Sequence, residues 1–513
     1  MTTFRVLRPG AVLIALLLVA AAASVAQSAV PTLVVDTTQD SFDGSCTDDD
    51  CSLRDAVKSA PAGTRVIVPS GFYPLSITGA GGVGEGTIEL RRQIEIIGEG
   101  ETGAFIDATA LGATAFAAVP RSTARAHMTI EHLTVFGARE ASLVGGAIRV
   151  EGGRLALIGV TVVGGLADRG GGVAVGAGAR LRLVEALVIG NEAASRGGGI
   201  WNAGVLTISR SAIVGNITID GGGIWSGPGS VTSIENVTLA ENTVTGEGGG
   251  LWLAGPAEIT ASTIGDNDAA RGGGITVGTR SVGVGRSVVA GNRADRARQC
   301  DGALRSFGDN IDQGHRCGFD AASDVEDVDA RLRRLGPNGG PTPTMALTAR
   351  SPAVGIAGAC DGRDQRGAPR DRRCDAGSYE FVRCLGKLVN IVGTPGHDEL
   401  SGGRGADAFL GMGGNDEFQG SIGTDRACAG PGDDLLIAGP GNDRFHGEAG
   451  IDRVRGETGD DVLYGGRGRD RISGGPGNDA CETETRDRRS RGCEITFLGS
   501  GAGSGAGRYG RSR

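Results

Sequence analysis

Two hydrophobic periods divide the chain. In the first part, short alternating stretches such as Leu206-Thr207-Ile208 accompany a longer motif, Leu183-Val184-Glu185-Ala186-Leu187-Val188-Ile189-Gly190-Asn191, whose later versions end at Asn216, Asn242, Asn267 and Asn292. Those asparagines lie 25, 26, 25 and 25 residues apart. Between them runs a glycine triplet followed by an apolar residue, Gly197-Gly198-Gly199-Ile200, with further copies starting at Gly170, Gly221, Gly248 and Gly272. Several short strands per fixed period, punctuated by Gly and Asn, predict a coil of parallel strands in which each turn buries its inward residues against the next. An Asn at a constant position predicts a ladder of side-chain amides where the chain turns. An antiparallel sandwich is the competing arrangement, but its strands would not keep one residue at one place through a long period.

The second period is nine residues. Leu400, Phe409, Phe418, Leu436, Phe445, Val454, Leu463 and Ile472 each follow an aspartate by two places, and the aspartates run without a gap: Asp398, Asp407, Asp416, Asp425, Asp434, Asp443, Asp452, Asp461, Asp470 and Asp479. Each has a glycine two residues before it, among them Gly405, Gly414, Gly432, Gly441, Gly459 and Gly468. One inward apolar residue per short strand predicts two nonapeptides per coil. Equivalent turns then fall eighteen residues apart, which stacks Asp398 near Asp416 and Asp407 near Asp425. Calcium takes six to eight oxygens, and a Gly-rich turn presents backbone carbonyls with no side chain in the way while Asp adds the anionic ligand. The poorest unit is 420–428, with Ala427 at the apolar position and Arg426 beside the ligand; Arg453, Arg469 and Arg471 flank later ligands.

Charge strengthens the metal reading. Residues 393–481 hold sixteen acids against eight arginines, a net of −8 in a chain whose total is −9. So compact an acidic stack repels itself unless cations neutralise it. A solvated acidic linker is the plain alternative, and ten in-register repeats oppose it. Ninety-four glycines with only 4% aromatic residues also argue against a conventional globular enzyme core. The expected cofactor is Ca2+, several ions, and no nucleic-acid partner is expected.

Arg5 and Arg8, the apolar run from Ala11 to Ala23 and the small residues Ser24-Val25-Ala26 predict a secretory signal peptide over 1–26. The run is short for a bilayer span and no second one follows, so no transmembrane helix is expected in the mature chain. Ten cysteines agree with export and fall into five local couples: Cys46/Cys51, Cys300/Cys317, Cys360/Cys374, Cys384/Cys428 and Cys481/Cys493. Connectivity cannot be deduced from sequence, though pairing neighbours is the economical arrangement. A zinc site is the rival, weakened because only His315, beside Cys317, approaches a couple at finger spacing.

Four resemblances add detail. The unit Gly402-Gly403-Arg404-Gly405-Ala406-Asp407-Ala408-Phe409-Leu410 fits G-G-x-G-x-D-x-U-x and resembles the RTX, or hemolysin-type, calcium-binding repeat, which implies a calcium-loaded parallel β-roll over 384–495. Its start, Cys384 to Ile391 leading into Val392-Gly393-Thr394-Pro395-Gly396, is similar to the opening of calcium-binding modules in exported actinobacterial proteins. Cys51-Ser52-Leu53-Arg54-Asp55-Ala56-Val57 resembles the Cys-Ser-Leu-Arg-Glu-Ala-Ile signature at the capped N-terminal end of secreted bacterial right-handed β-helix proteins of the pectate-lyase-like superfamily. Asp364-Gln365-Arg366-Gly367-Ala368-Pro369-Arg370 with Cys374-Asp375-Ala376-Gly377-Ser378-Tyr379-Glu380 resembles the end of the bacterial choice-of-anchor β-helix family. Together they imply an all-β chain: a right-handed parallel β-helix over 32–320, its choice-of-anchor-like C-terminal part over 321–382, and the roll; the basic, Gly/Ser-rich composition of 496–513 predicts a flexible tail.

Many carbohydrate lyases and hydrolases are β-helices, but fold is not function. A polygalacturonase-like Asn-Thr-Asp, Gly-His-Gly or Arg-Ile-Lys is absent, and Asp312-Gln313-Gly314-His315 is only superficially close. The residues preceding the triplets, Arg169, Arg196, Asp220, Glu247 and Arg271, are expected to stack in successive coils, as an acid–base and uronate-holding row or, more plainly, as an ion-pair ladder. The only tryptophans, Trp201, Trp225 and Trp252, each follow the apolar residue after a triplet, so alternation turns them outward as a stripe suited to stacking on sugar faces. The bland alternative is that other segments cover them. The expectation is a secreted, calcium-binding, non-enzymatic protein acting in cell-surface adhesion or contact with polysaccharide or matrix. The alternative is a polysaccharide lyase or glycoside hydrolase acting on acidic polysaccharide.

Overall fold

The computed structural model describes residues 30–498 apart from 47–49, 79–85, 101–102, 121–126, 279–280, 315–316, 359, 361, 371 and 484–487. The expected signal peptide and His315 lie outside the described residues. A representative coil runs Arg154–Ile158, Thr161–Val163, Leu166–Arg169 and Val173–Val175 before the next begins at Arg180–Val184. Each strand pairs in parallel with its counterpart one coil on, as in Leu155↔Leu181, Val162↔Val188 and Val173↔Ile200. The result is a parallel β-helix, which removes the antiparallel alternative. Among the described residues its sheets contain eleven, eleven, nine and six strands. Alternation sends Leu181, Leu183, Leu206, Ile208, Ile234 and Ile259 into a continuous buried core, while Arg182 and Thr207 face out.

The glycine triplets form the corners between the six-stranded and nine-stranded sheets. Gly197, Gly221 and Gly248 have φ of 67°, 67° and 70°, a region that side chains strain to occupy, and a Cβ on each would press on the backbone three to four residues ahead. At another corner the asparagines form the expected ladder. Asn216 Nδ2 donates to Asn242 Oδ1 and Asn242 Nδ2 to Asn267 Oδ1, both at 2.9 Å. The last rung, Asn292, donates instead to Gln299 Oε1 at 2.7 Å, and Gln299 donates on to the Gln313 carbonyl. All five asparagines are buried, so the ladder satisfies the polar groups of a tight turn from within the stack.

Helix Leu53–Ser59 closes the N-terminal end of the coil. Ser52 caps it by accepting from the Asp55 N–H, and Asp55 accepts from Ser41, Ser52 and the Gly44 N–H. Arg54 pairs with Asp40 at 2.8 Å, both nearly buried. These polar residues of the Cys-Ser-Leu-Arg-type stretch therefore serve the cap.

The stack continues to Val325–Glu326, one strand beyond the expected boundary at 320. The chain then returns along the outside of the sheet that holds Thr238, Thr263 and Val288. Thr238 Oγ1 donates to Gln365 Oε1, and the Ser378 N–H to Thr263 Oγ1. A buried ionic cluster organises this segment: Arg366 on Asp364 at 2.7 Å, Arg370 on Glu380 at 3.0 Å, and the Arg366 guanidinium 3.7 Å from the Tyr379 ring centre.

From Ile391 the chain forms two parallel sheets of a roll. Paired strands are eighteen residues apart over most of its length: Leu400↔Phe418↔Leu436↔Val454↔Ile472 in one sheet and Phe409↔Ala427↔Phe445↔Leu463↔Cys481 in the other. The core is one residue wide, as the nine-residue period requires. Ala368, Val382, Cys384, Val389, Val392, Leu410 and Cys428 form a buried cluster joining the returning segment to the roll. All five disulfides join the neighbouring couples: Cys46–Cys51, Cys300–Cys317, Cys360–Cys374, Cys384–Cys428 and Cys481–Cys493. The tail expected to be flexible from 496 begins instead as strand Ile495–Leu498, paired with Ala480–Thr483 beside the Cys481–Cys493 bridge. Residues 499–513 lie outside the described residues.

Candidate calcium centre and an arginine–tryptophan ladder

The aspartates stand in two columns, one along each edge of the roll. In each column a backbone N–H donates to the Oδ1 of the aspartate eighteen residues later: Asp398 to Asp416, Asp416 to Asp434, Asp434 to Asp452 and Asp452 to Asp470 on one edge. The other edge runs Asp407, Asp425, Asp443, Asp461, Asp479 in the same way at 2.7 to 2.9 Å. The Asp479 N–H meets Glu494 Oε2, which takes the place of the next aspartate. One oxygen of each carboxylate is thus committed to the scaffold.

In seven of them the other oxygen is not. Oδ2 of Asp416, Asp425, Asp434, Asp443, Asp452, Asp461 and Asp479 is buried with no hydrogen-bond partner. An anionic oxygen left that way costs free energy, and the row of them is a repeated demand for positive charge. Burial pushes these carboxyls upward from the usual carboxylate range, to about 6 at Asp416 and Asp461, about 7 at Asp434 and Asp443 and about 8 at Asp452. Neighbouring carboxylates add to the rise, while the backbone N–H bond opposes it.

Glycine shapes the rest. A Cβ on Gly432, Gly441, Gly459 or Gly468 would run into the carbonyl oxygen of the glycine eighteen residues earlier, so these positions hold successive turns close enough for carbonyls and carboxylates to face one gap. A Cβ on Gly402, Gly411, Gly447 or Gly456 would strike Oδ2 of the aspartate five residues later. The glycine five before each of these aspartates therefore reserves room for Oδ2. Sequence reasoning passed over an outer ladder from the residue just before Asp: the Asp433 N–H donates to Asn415 Oδ1, the Ile451 N–H to Asp433 Oδ1, and the Asp460 N–H to Asn442 Oδ1. The signal was present as Asn-Asp and Asp-Asp pairs.

No three acidic, histidine or cysteine side chains converge on one point among the described residues. One carboxylate per turn, completed by backbone carbonyls, is an all-oxygen donor set that suits a hard cation and not zinc. The sequence matches the RTX calcium-binding nonapeptide repeat (4 copies) over residues 392–427, 419–454 and 446–480. Residues 392–480 carry RTX calcium-binding repeats. Within this RTX roll, Asp416 to Asp479 and the facing glycine carbonyls would hold calcium, which supplies the charge the buried Oδ2 atoms lack. Asp398 and Asp407 differ, because their Oδ2 atoms accept from the Thr394 and Gly403 N–H groups. The unit with the poorest match still keeps Asp425 buried and in register, with Ala427 filling the core.

No curated relative matches the chain. Among solved structures, pectate lyase Pel9A aligns at 14% identity over 68% of this chain and 96% of its own, with a TM-score of 0.40. The PL6 family alginate lyase AlyGC aligns at 10% identity over 91% of this chain and 79% of its own, with a TM-score of 0.22.

On the β-helix the tryptophans do form a register, Trp201↔Trp225↔Trp252. Their rings are stacked, with centres 6.1 and 5.2 Å apart and planes within 4° and 7° of parallel. Stacking changes the expected exposure. Trp225, sandwiched between the other two, is only 6% exposed, while Trp201 and Trp252 are half-buried. The structure also joins two features that the sequence presented separately: Arg169 lies over Trp201 at 5.7 Å and Arg196 over Trp225 at 5.0 Å, and Trp252 Nε1 donates to Glu247 at 3.4 Å. Arg271 is held by Asp301 at 3.1 Å and Glu247 at 3.5 Å.

Proposed function

We propose that the protein is exported and uses its calcium-loaded roll and β-helix to contact extended polysaccharide or matrix polymer at the cell surface, without cleaving it. The observation that carries this reading is the placement of Arg169 and Arg196 over Trp201 and Trp225, one cation and one indole per coil. Coils repeat every ~4.8 Å, so the ladder offers a linear anionic polymer a row of guanidiniums held stiffly by stacked rings. Because the Trp225 faces are occupied, contact would fall to the indole edges and the arginine heads. Five disulfides and a calcium array suit an oxidising environment with calcium near the millimolar range.

The lyase or hydrolase reading would draw on the same row, where Asp220 and Glu247 adjoin Arg196 and Arg271. A glycan array probed with the calcium-loaded full chain, paired with a product assay on polyuronates, separates the two. Arg196→Ala and Trp201→Ala should each lower binding roughly tenfold or more while the coils stay folded. Unchanged binding on every retained polymer would make the ladder a structural device. Polyuronate cleavage abolished by Glu247→Ala would make it a catalytic site.

A further inference from the structure

The two faces of the roll are not alike. One sheet is packed at its start by the hairpin Arg383–Leu388, tied down through Cys384–Cys428. The other has an open outer face, because Phe418, Leu436, Val454 and Ile472 point into the core and the residues on either side of them point out. Pairing arranges the outward positions in two columns. One runs Glu399, Glu417, Leu435, Arg453, Arg471, Arg488 and the other Ser401, Gln419, Ile437, Arg455, Ser473, Arg491. The acids in these columns all precede the strand of Leu435, and the arginines all follow it.

Arg453, Arg455, Arg471 and Arg491 are exposed, and none has an ion-pair partner among the described residues. Arg453 and Arg471 stand directly opposite each other, a placement that costs free energy between like charges. The repeat aspartates do not relieve it, because their carboxylates turn to the edges of the roll, where calcium is their counter-ion. The calcium-loaded roll therefore carries a face of unanswered positive charge on its C-terminal half, within a segment that is acidic by sequence.

The arginines on that face follow an alternating order. Taken one per strand, Arg455, Arg471 and Arg491 lie in the second column, the first, and the second again. Strands are ~4.8 Å apart and the columns ~7 Å apart, so the three positions trace a zigzag along the stack. An extended chain of 1,4-linked uronic acids offers one carboxylate per sugar, on alternating sides, at intervals close to the length of a ring. Arginine meets a carboxylate through two parallel N–H bonds, which an open, flat face leaves free to form. No outward position of these six strands holds an aromatic residue, so nucleic-acid bases find no ring to stack on.

We propose that this arginine face binds a linear polyuronate, as a second polymer site separate from the arginine–tryptophan ladder and dependent on calcium for its fold. The inference rests on the reading of the protein as one that contacts extended polymer, and it names the charge and the alternation the polymer must have. The contacts are solvent-exposed, so affinity is the sum of several weak pairs and falls with salt.

The full chain gives two separate readouts. All three tryptophans lie on the β-helix, so their fluorescence follows the ladder alone, while calorimetry follows both sites. In calcium at low salt, a short soluble galacturonate oligomer should still release or absorb heat on a chain carrying both Arg169→Ala and Arg196→Ala, whose fluorescence no longer responds. Adding Arg455→Gln and Arg471→Gln should lower that remaining affinity roughly tenfold or more, and chelator should abolish it. On an otherwise unchanged chain the two roll substitutions should leave the fluorescence response as it is. Circular dichroism with calcium checks that each variant is folded. A ladder variant that binds no oligomer, or binding that the roll substitutions do not weaken, would overturn the arginine face and leave the ladder intact. A wild type whose fluorescence is silent while the roll-dependent heat persists would overturn the ladder and leave this face standing, and a wild type with neither signal would overturn both. Inorganic polyphosphate bound by the roll as tightly as galacturonate would overturn the assignment to a uronate.

Discussion

Asp434 donates its backbone N–H to Oδ1 of Asp452 at 2.9 Å, and both carboxylates keep Oδ2 buried without a partner. The geometry of one rung therefore depends on the next, and the charge of each is left for a shared cation. Asp398 sits outside this pattern because Thr394 satisfies its Oδ2. Asp434→Ala should weaken calcium binding roughly tenfold or more and reduce cooperativity, and Asp398→Ala should do clearly less. Calorimetric titration of both full-length variants checks the order.

Calcium removal should unfold the roll and spare the β-helix. A core one residue wide offers little burial against chain entropy, whereas the β-helix holds a continuous core from Val35 to Phe319. In chelator, proteolysis should cut within residues 393–481 and leave the coils intact, and calcium should restore protection. A roll equally resistant in chelator would contradict the coupling of binding to folding.

Acidity should act with opposite sign on the two states. Asp434 and Asp443 are raised to about 7 and Asp452 to about 8, so in the metal-free roll their protonated forms are favoured. That stabilisation is fully present below about pH 4, the unfolded carboxyl value, and is lost as pH rises through 7 to 8. Calcium needs the ionised forms, so its affinity should fall as pH drops from 8 to 6 and its binding should release protons. Titrations in buffers of different ionisation enthalpy measure the release. Circular dichroism in chelator should show more β-structure at pH 5 than at pH 8.

Asn242 accepts at Oδ1 from Asn216 and donates to Asn267 and to the Ile213 carbonyl. Asn242→Ala should destabilise the coils by about 2–4 kcal/mol, since several buried groups lose partners at once. The denaturant midpoint of the β-helix should fall while calcium affinity is unchanged.

Arg366 is fully buried between Asp364 and the Tyr379 ring, and it also donates to the Glu380 carbonyl. Arg366→Met would leave Asp364 charged and uncompensated, at a cost of about 3–5 kcal/mol. Protease sensitivity should rise within 330–382 before the coils are affected.

The nine-residue and twenty-five-residue periods were legible in the sequence because each coil repeats one environment, so the same residue answers the same demand at every turn. Asn216, Asn242 and Asn267, or Phe409, Ala427 and Phe445, announce their neighbours by spacing alone. Cysteine couples close in sequence were the shortest loops to close. Tertiary structure alone decided what lies across the coils and outside them. Gln365 meets Thr238 across 127 residues, a contact no local period encodes. Trp225 lost its exposure because rings in register stack on one another, and the Arg196 that lies over its ring comes from the preceding coil. Alternation states which way a side chain points; what meets it there depends on packing between segments distant in the chain.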